Sequence, residues 1–433
     1  MQHMKRLSFG PIYLGDLLIA LLVILPLFIE ADLLRTDLNL RFAAQLSGIL
    51  SMSCFSVAAI LSIRVPGLDQ YFGGLVRLWS IHKLLGFLTL VSAYFHIWFI
   101  AMIGLQVSVA TSYSYLFPSL TSFSIWFGWA SLLLLIIFLS PSFHFFSHFD
   151  YQKWKQLHLL SIPAYFMALL HVFFLTQNKL LWSLYATGTG LSFFWRKALS
   201  KKMGRFHYEI VEIKKLAKGV VEIELQPKEK GLNFRPGQFV YLTPLDRKLH
   251  NGFKEEHPYT LSSSCHQSHL KIGIKALGDA TEAIQSIRPH SQVLIEGPYG
   301  DFFKRKFPQK KQLWIAGGIG ITPFISAFRS FYDHPQKRQE ITLLYLAKDA
   351  KRAYYSEELR GITQRQQGLQ LINHYHQEHG FLTKNFLDEN VGDLNDMEIY
   401  ICGPGPMIDF VIPLLLQQGV SKKQIHCERF NLL

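Results

Sequence analysis

Apolar residues fill the first 200 positions in long runs, without the polar stripe that marks a helix lying on a water-soluble core. Crossing a hydrocarbon core takes about 20 mostly apolar residues. Six stretches qualify, at residues 12–29, 42–63, 78–105, 123–139, 157–176 and 180–195. Residues 84–149, 66 in all, include no Asp, Glu, Lys or Arg, which is not the composition of a water-exposed surface. An even number of spans predicts both ends on one side. Lys5, Arg6, Arg64, Arg77, Lys153, Lys155, Arg196 and Lys197 border the spans there, against Arg35, Arg41 and Lys179 opposite, so the positive-inside rule puts both termini in the cytoplasm. Lys5 and Arg6 ahead of the first run imitate a secretory signal. Glu30, Ala31 and Asp32 follow in place of a small-residue cleavage site, which predicts an uncleaved span.

Near Ser200 the pattern changes. Short runs of strand character at 208–213, 220–225, 238–242, 270–274 and 292–295, separated by Gly, Pro and charged turns, predict an antiparallel barrel. From Gln312 onward, apolar runs at 313–316, 341–346 and 399–402 alternate with helical stretches at 325–332, 356–365 and 407–418, the pattern of a parallel α/β sheet. The predicted fold is an all-α membrane unit of six helices over residues 1–203, a β-barrel over 204–308 and a Rossmann-like α/β domain over 309–433.

The net charge of +13 changes this picture little. Residues 1–200 carry 12 Lys and Arg against 6 Asp and Glu, mostly at span ends, and the remainder carries 32 against 25. Basic residues so placed and so diluted exclude a nucleic-acid stripe. The four cysteines, Cys54, Cys265, Cys402 and Cys427, have no regular spacing and suggest neither a zinc site nor a disulfide framework.

Four histidines fall inside predicted spans, His82 and His96 on the third, His158 and His171 on the fifth. Strongly polar groups in a bilayer are costly and usually have a function, although any one of them alone reads equally as an interhelical hydrogen-bond donor. Fourteen residues separate the first pair by about 21 Å along a helix, and thirteen separate the second by about 19.5 Å. Each helix therefore offers one imidazole at an inner level and one at an outer level. Two facing imidazoles can fill both axial positions of a haem iron, so two levels predict two stacked haems. Fourteen steps return to within about 40° of the same helix face, whereas thirteen end about 140° away. Pro163, between His158 and His171, is the residue able to re-aim the outer ligand.

In the barrel region, Phe234-Arg-Pro-Gly-Gln-Phe-Val-Tyr leads to His257-Pro-Tyr-Thr-Leu-Ser-Ser263 and then to Lys275-Ala-Leu-Gly-Asp-Ala-Thr281. A tyrosine ring, hydroxyls and backbone amides are what a flavin needs to stack on and to hydrogen-bond. Next, a strand runs into Gly317-Gly-Ile-Gly-Ile-Thr-Pro-Phe324, where glycines let a pyrophosphate approach the amides of a helix N-terminus. A second tight turn, Cys402-Gly-Pro-Gly-Pro-Met407, follows the strand at 399–402. At the end of the second α/β strand, Lys348, Lys351 or Arg352 could meet a 2′-phosphate, and Asp349 a ribose 2′-hydroxyl. The lean is to NADPH, with NADH open.

In this order the motifs resemble the ferredoxin-NADP reductase-like flavoprotein module. With the four-histidine membrane unit, the chain resembles the NADPH oxidase and ferric reductase transmembrane superfamily from about Leu40 to Phe430. The resemblance implies FAD, two b-type haems and NAD(P)H. It implies His82 with His158 as ligands of the inner haem iron and His96 with His171 of the outer. It further implies His257, Pro258, Tyr259, Thr260 and Ser262 around the flavin, with Gly278 and Thr281 at its phosphates. Gly317, Gly318, Gly320, Thr322 and Pro323 match the nicotinamide dinucleotide turn, and Cys402, Gly403 and Pro404 the motif beside the nicotinamide. Phe430 would be the aromatic stacked on the isoalloxazine, and Arg41 lies where an oxidase arginine borders the outer haem. One turn beyond His96 this chain has Ile100, where some oxidases carry a histidine.

The expected activity is electron transfer from cytosolic NAD(P)H across the bilayer to oxygen, giving superoxide. Alternatives are a ferric chelate, a periplasmic protein or a quinone as acceptor. A rival of another class, a transporter with a regulatory nucleotide-binding domain, leaves the flavin motif unexplained. The compact build points to a bacterial inner membrane, and no obligatory protein partner is indicated.

Overall fold

The computed structural model describes residues 12–30, 39–142, 151–200, 204–249, 252–303, 311–335 and 340–429. The chain divides into two units, Met1–Met203 and Gly204–Leu433.

The first unit is helical: α1 (Leu14–Glu30), α2 (Leu40–Leu61), α3 (Leu75–Leu105), α4 (Val109–Leu116), α5 (Phe123–Leu139), α6 (Tyr151–His158), α7 (Ser161–Leu175) and α8 (Lys179–Phe194). Among the described residues, four helical stretches are long and apolar enough to cross a bilayer: Leu40–Leu61, Leu75–Leu105, Phe123–Ser142 and Lys153–Leu175. The first and sixth expected spans form shorter helices of 17 and 16 residues, and α8 runs on into a π-helical turn, Trp195–Leu199. The large apolar side chains Leu21, Phe28, Leu84, Phe87, Leu133, Phe166, Phe174 and Leu184 face outward, an apolar coat suited to lipid.

Helix α2 is the most enclosed of these spans, and its small residues explain why. Ala44, Ser47, Ser53, Ser56 and Ala58 are all buried, which lets neighbouring backbones approach. Hydroxyls tie the bundle across helices, with Ser51 Oγ donating to Thr89 O at 2.9 Å and Ser131 Oγ to Ala164 O at 2.9 Å.

The second unit begins with a six-stranded antiparallel sheet: β1 (Arg205–Ala217), β2 (Val220–Pro227), β3 (Phe239–Pro244), β4 (His257–Thr260), β5 (Leu270–Lys275) and β6 (Gln292–Tyr299). Its order is β4-β3-β6-β1-β2-β5, and a bridge between Leu261 and Ile272 draws the two edges together. Alternate residues such as Tyr208, Ile210, Ile223, Leu225, Val240, Leu242, Ile272 and Ile295 fill the interior. A short helix, α9 (Asp279–Ala283), follows β5.

A five-stranded parallel sheet completes the unit: β7 (Gln312–Gly317), β8 (Ile341–Ala347), β9 (Leu369–Tyr375), β10 (Glu398–Gly403) and β11 (Ile425–Arg429), in the order β11-β10-β7-β8-β9. The helices that cover it include α10 (Thr322–Asp333), α11 (Ser356–Arg365) and α12 (Gly405–Gln417). The chain leaves β7 toward β8 on one side and returns to β10 on the other. That reversal opens a crevice at the carboxyl ends of β7 and β10, where open α/β sheets bind ligands.

Candidate functional site

His82 and His96 of α3 meet His158, at the end of α6, and His171, on α7, in two pairs. The ring centroids of His82 and His158 are 6.2 Å apart, and those of His96 and His171 are 6.3 Å apart. A metal–imidazole bond of about 2.0–2.1 Å on each side, plus roughly 1.1 Å from Nε2 to each ring centre, gives roughly 6.3 Å for two imidazoles sharing one ion. The described residues contain no cluster of three or more His, Cys, Asp or Glu able to hold a metal. A two-imidazole site suits an iron whose other four ligands come from a porphyrin.

Three of the four imidazoles have one nitrogen already committed. His82 Nδ1 donates to Ala58 O at 2.8 Å, His96 Nδ1 to Ala44 O at 2.7 Å, and His171 Nδ1 to Ser124 O at 2.7 Å. Such bonds fix the tautomer and leave Nε2 as the free ligand. The outer two reach carbonyls near the starts of α2 and α5, and a glycine one turn further along each accepting helix leaves room for the ring. A Cβ on Gly48 would lie 2.8 Å from His96 Nδ1, and one on Gly128 would lie 2.9 Å from His171 Nδ1. His82 instead takes a carbonyl near the end of α2. His158 Nδ1 is buried with no hydrogen-bond partner among the described residues.

The thirteen-residue spacing is accommodated by overwinding. Helix α6 ends at His158, and Leu159 N, Leu160 N and Ile162 N bond three residues back, to Gln156 O, Leu157 O and Leu159 O. Pro163 then supplies no N–H, and four-back bonding resumes at Ala164. Each residue of such a turn advances about 120° instead of about 100°. Roughly four of them add about 80°, which cuts the offset from about 140° to about 60°.

Arg41, at the start of α2, is exposed and stands one turn before Ala44, the residue that accepts from His96.

In the barrel, the predicted flavin segment forms β4 and the buried residues after it. His257, Pro258, Tyr259 and Thr260 pair with Leu242, Tyr241, Val240 and Phe239 of β3. The Tyr259 hydroxyl is buried without a partner among the described residues, and burial, aided by Glu255, pushes its phenol up. A neutral donor with no protein acceptor fits a flavin, whose ribityl chain carries hydroxyls. The Ser262 hydroxyl proton is committed to Glu222, donated at 2.6 Å. Thr281 Oγ1 is likewise engaged within its own turn, accepting from Leu277 N and Gly278 N at 2.8 and 3.0 Å.

At the crevice, the glycines divide into two kinds. A Cβ on Gly317 would strike Met407 Sδ, one on Gly320 would strike Cys402 O, and one on Gly403 would lie 2.7 Å from Met407 Cε. These three let the β7 and β10 turns touch. Gly318, with φ +55° and nothing within 4 Å, is the position open to a ligand. Thr322 and Pro323 begin α10, with the threonine hydroxyl bonded to Ile319 O at 3.1 Å. Lys348 and Arg352 are exposed just beyond β8, whose Tyr345 hydroxyl donates to Gly318 O at 3.0 Å. Asp349 caps the turn there by accepting from Arg352 N at 3.1 Å.

Cys402 is fully buried at the end of β10, with Pro404 starting α12. Burial first, then Glu428, pushes its thiol well up, so it stays protonated. Sequence reasoning missed Glu428 on β11. Burial, then Asp301, pushes its carboxyl up to about 8. Asp301 lies 127 positions away in the sequence, so no local pattern pointed to it. Phe430 lies outside the described residues.

Sequence reasoning also missed the junction of barrel and α/β domain. Arg329 on α10 donates through Nη1 and Nη2 to Glu222 at 2.9 and 3.1 Å, through Nε and Nη2 to Glu358 at 2.6 and 2.8 Å, and through Nη1 to Ser262 O at 2.9 Å. All five guanidinium donors are used. Tyr355 OH adds a bond to Glu222 at 2.9 Å, and Gly273 leaves it room, because a Cβ there would sit 2.7 Å from that hydroxyl.

Comparison with known proteins divides the chain in the same order. Residues 47–170 match the family described as ferric reductase like transmembrane component, 205–302 an FAD-binding domain, and 314–412 an oxidoreductase NAD-binding domain. The reductase subunit of glycine betaine monooxygenase from Chromohalobacter salexigens is 28% identical over 212 residues, 46% of this chain and 56% of that protein. Rat dual oxidase 2 is 24% identical over 207 residues, 46% of this chain and 13% of the relative. This chain thus spans little more than half of the first and a small part of the second. Among solved structures, flavohemoglobin from Malassezia yamatoensis, with FAD and haem bound, is similar in fold over 90% of this chain and 96% of its own, with TM-score 0.51 and 15% identity. A ferric-reductase-like transmembrane component followed by an FAD-binding and an NAD-binding domain, with dual oxidases among the relatives, assigns the chain to the NADPH oxidase and ferric reductase transmembrane superfamily.

Proposed function

We propose that this oxidoreductase carries electrons from cytosolic NAD(P)H across a bacterial inner membrane, through six spans with both termini inside, to oxygen on the far side, giving superoxide. The observation that carries this reading is the pair of imidazole couples at 6.2 and 6.3 Å inside an apolar bundle on a chain with a flavin and nicotinamide module. When bound, FAD and two b-type haems supply the conversion of a two-electron hydride donor into single electrons passed along a chain. His82, His96 and His171 present Nε2 to the iron because their Nδ1 protons are held by carbonyls. Tyr259 gives its hydroxyl to the flavin. The open turn at Gly318 and the α10 N-terminus receive the dinucleotide pyrophosphate. Lys348 and Arg352 meet the 2′-phosphate of NADPH, and Cys402 stays a neutral thiol beside the nicotinamide. Arg41 places a cation at the outer end, where an anionic product forms.

The test is the visible spectrum of the detergent-purified chain as NADPH is added without oxygen. Reduction of two haems and one flavin per chain, then superoxide when oxygen is admitted, is the expected result. Reduction without oxygen-linked reoxidation, but with turnover of a ferric chelate, would make the acceptor iron, the reading the matched ferric-reductase-like region favours. Absence of haem from protein made with ample haem supply would overturn the membrane half.

A further inference from the structure

The four histidines are not equivalent. His82, His96 and His171 are each anchored by a backbone carbonyl. His158 is held by rings instead. Trp154, one turn earlier on α6, stacks on it at 5.0 Å between centroids and 29° between planes. Phe138 of α5 meets it edge-on at 5.3 Å and 88°. The indole is itself pinned, since Trp154 Nε1 donates to Ser142 Oγ at 2.9 Å in the turn that closes α5.

We propose that Trp154, pinned by Ser142, is the positioning residue for His158, so that the inner pair joins one carbonyl-anchored imidazole to one held by stacking alone. This rests on the reading of the pairs as haem ligands. A ring with no bond at Nδ1 keeps its angle only as long as its neighbours block rotation about χ2, a torsion with broad minima. Stacking of two rings adds attraction beyond burial, comparable with the net worth of the carbonyl bond that His158 lacks. Removal of the indole frees the imidazole to turn, and the inner site then becomes the one at which a small neutral ligand competes with histidine.

The test uses the full chain in detergent with both haems loaded, comparing wild type with Trp154→Leu, Trp154→Phe and Ser142→Ala. Carbon monoxide is added to dithionite-reduced protein, and the ferric low-spin EPR signal is recorded, because it responds to the angle between the two imidazole planes. Wild type shows two six-coordinate haems closed to carbon monoxide. Trp154→Leu opens one of the two, the inner one, at least tenfold more readily than wild type, and Trp154→Phe restores closure. Ser142→Ala, which leaves every core ring in place, shifts only the inner EPR signal. Two unchanged signals and no carbon monoxide binding in both Trp154→Leu and Ser142→Ala overturn the proposal. If Trp154→Leu yields no folded protein, an unchanged Ser142→Ala signal overturns it alone. A wild type without haem overturns the haem reading itself, a distinct outcome.

Discussion

Replacement of Gly48 by alanine probes the outer pair at its tightest contact. The added Cβ would lie 2.8 Å from His96 Nδ1, 3.0 Å from Cε1 and 3.4 Å from Cγ, whereas ordinary contact begins at 3.4 Å. The contact is to a ring edge, not to a flexible tip, so the imidazole must retreat by roughly 0.6 Å or more to restore a normal separation. That movement is away from α2, which also carries the acceptor Ala44 O, now 2.7 Å from Nδ1. A bond stretched to about 3.3 Å lies outside the usual range. Its loss costs about 0.5–1.5 kcal/mol, and loss of an orienting partner typically costs about 10–100-fold in metal affinity. Haem content per chain, measured with the reduced spectrum, should fall from two toward one in Gly48→Ala while the inner haem keeps its spectrum. Gly128→Ala should do the same from the other side, through His171. Gly190→Ala, on α8, where a Cβ meets nothing within 4 Å, serves as the control and should leave both haems in place. Two haems of wild-type affinity in Gly48→Ala would refute the argument.

Further outcomes follow from the soluble unit. Arg329→Met leaves Glu222 buried and unpaired and should cost about 3–5 kcal/mol, read as a lower melting temperature or denaturant midpoint of that unit in the full chain. Burial alone would raise the Glu222 pKa, but the Arg329, Ser262 and Tyr355 bonds outweigh it and hold the carboxyl below its ordinary value. The stabilisation is therefore present above the unfolded value of about 4.3 and is lost as pH falls through the folded one, and Glu222→Gln should flatten this acid limb of the melting curve. Glu428 has the opposite sign. With its folded pKa raised to about 8, the native state holds a proton that the unfolded chain releases, so stability declines between about pH 4.3 and 8. Glu428→Gln should remove that slope. Gly320→Ala, aimed into the Cys402 carbonyl, should unfold the α/β domain locally and be visible as proteolysis after β7. Gly318→Ala should cost only about 1–2 kcal/mol for its left-handed backbone and should raise the KM for NAD(P)H.

Elements with a strong periodic signal were legible in the sequence. The apolar runs matched the four helices long enough to cross a bilayer to within a few residues, and the histidine spacing led to the two pairs the structure brings together. The central strands β7, β8 and β10 were equally plain, because both faces are buried and their sequences are almost wholly apolar. Strands β9 and β11 were missed because each is an edge, where Gln370, Asn373, His426 and Glu428 weaken the apolar pattern. Strand β4 was missed for a different reason, being four residues long with a proline inside. Glycine roles in the crevice were not legible, since only contact between the two turns separates Gly317, Gly320 and Gly403 from Gly318. The Arg329 cluster draws on residues more than 100 positions apart, which no local pattern encodes.

The carbonyls that hold His82 and His96 have a consequence for how this membrane unit can change. Ala58 and Ala44 are fourteen residues apart on α2, and their donors are fourteen apart on the antiparallel α3. Two rungs of equal pitch lock the helices like a vernier. A single inserted residue between the rungs on either helix would swing one imidazole by about 100° and shift it by about 1.5 Å, so it would break one rung while leaving the other intact. An insertion of about seven residues, two full turns, matched on both helices would return imidazole and carbonyl to the same faces, keep both rungs and move the two sites apart together. Distance between the cofactor levels can therefore drift only through paired changes on α2 and α3, whereas the α6–α7 side adjusts through its overwound turn.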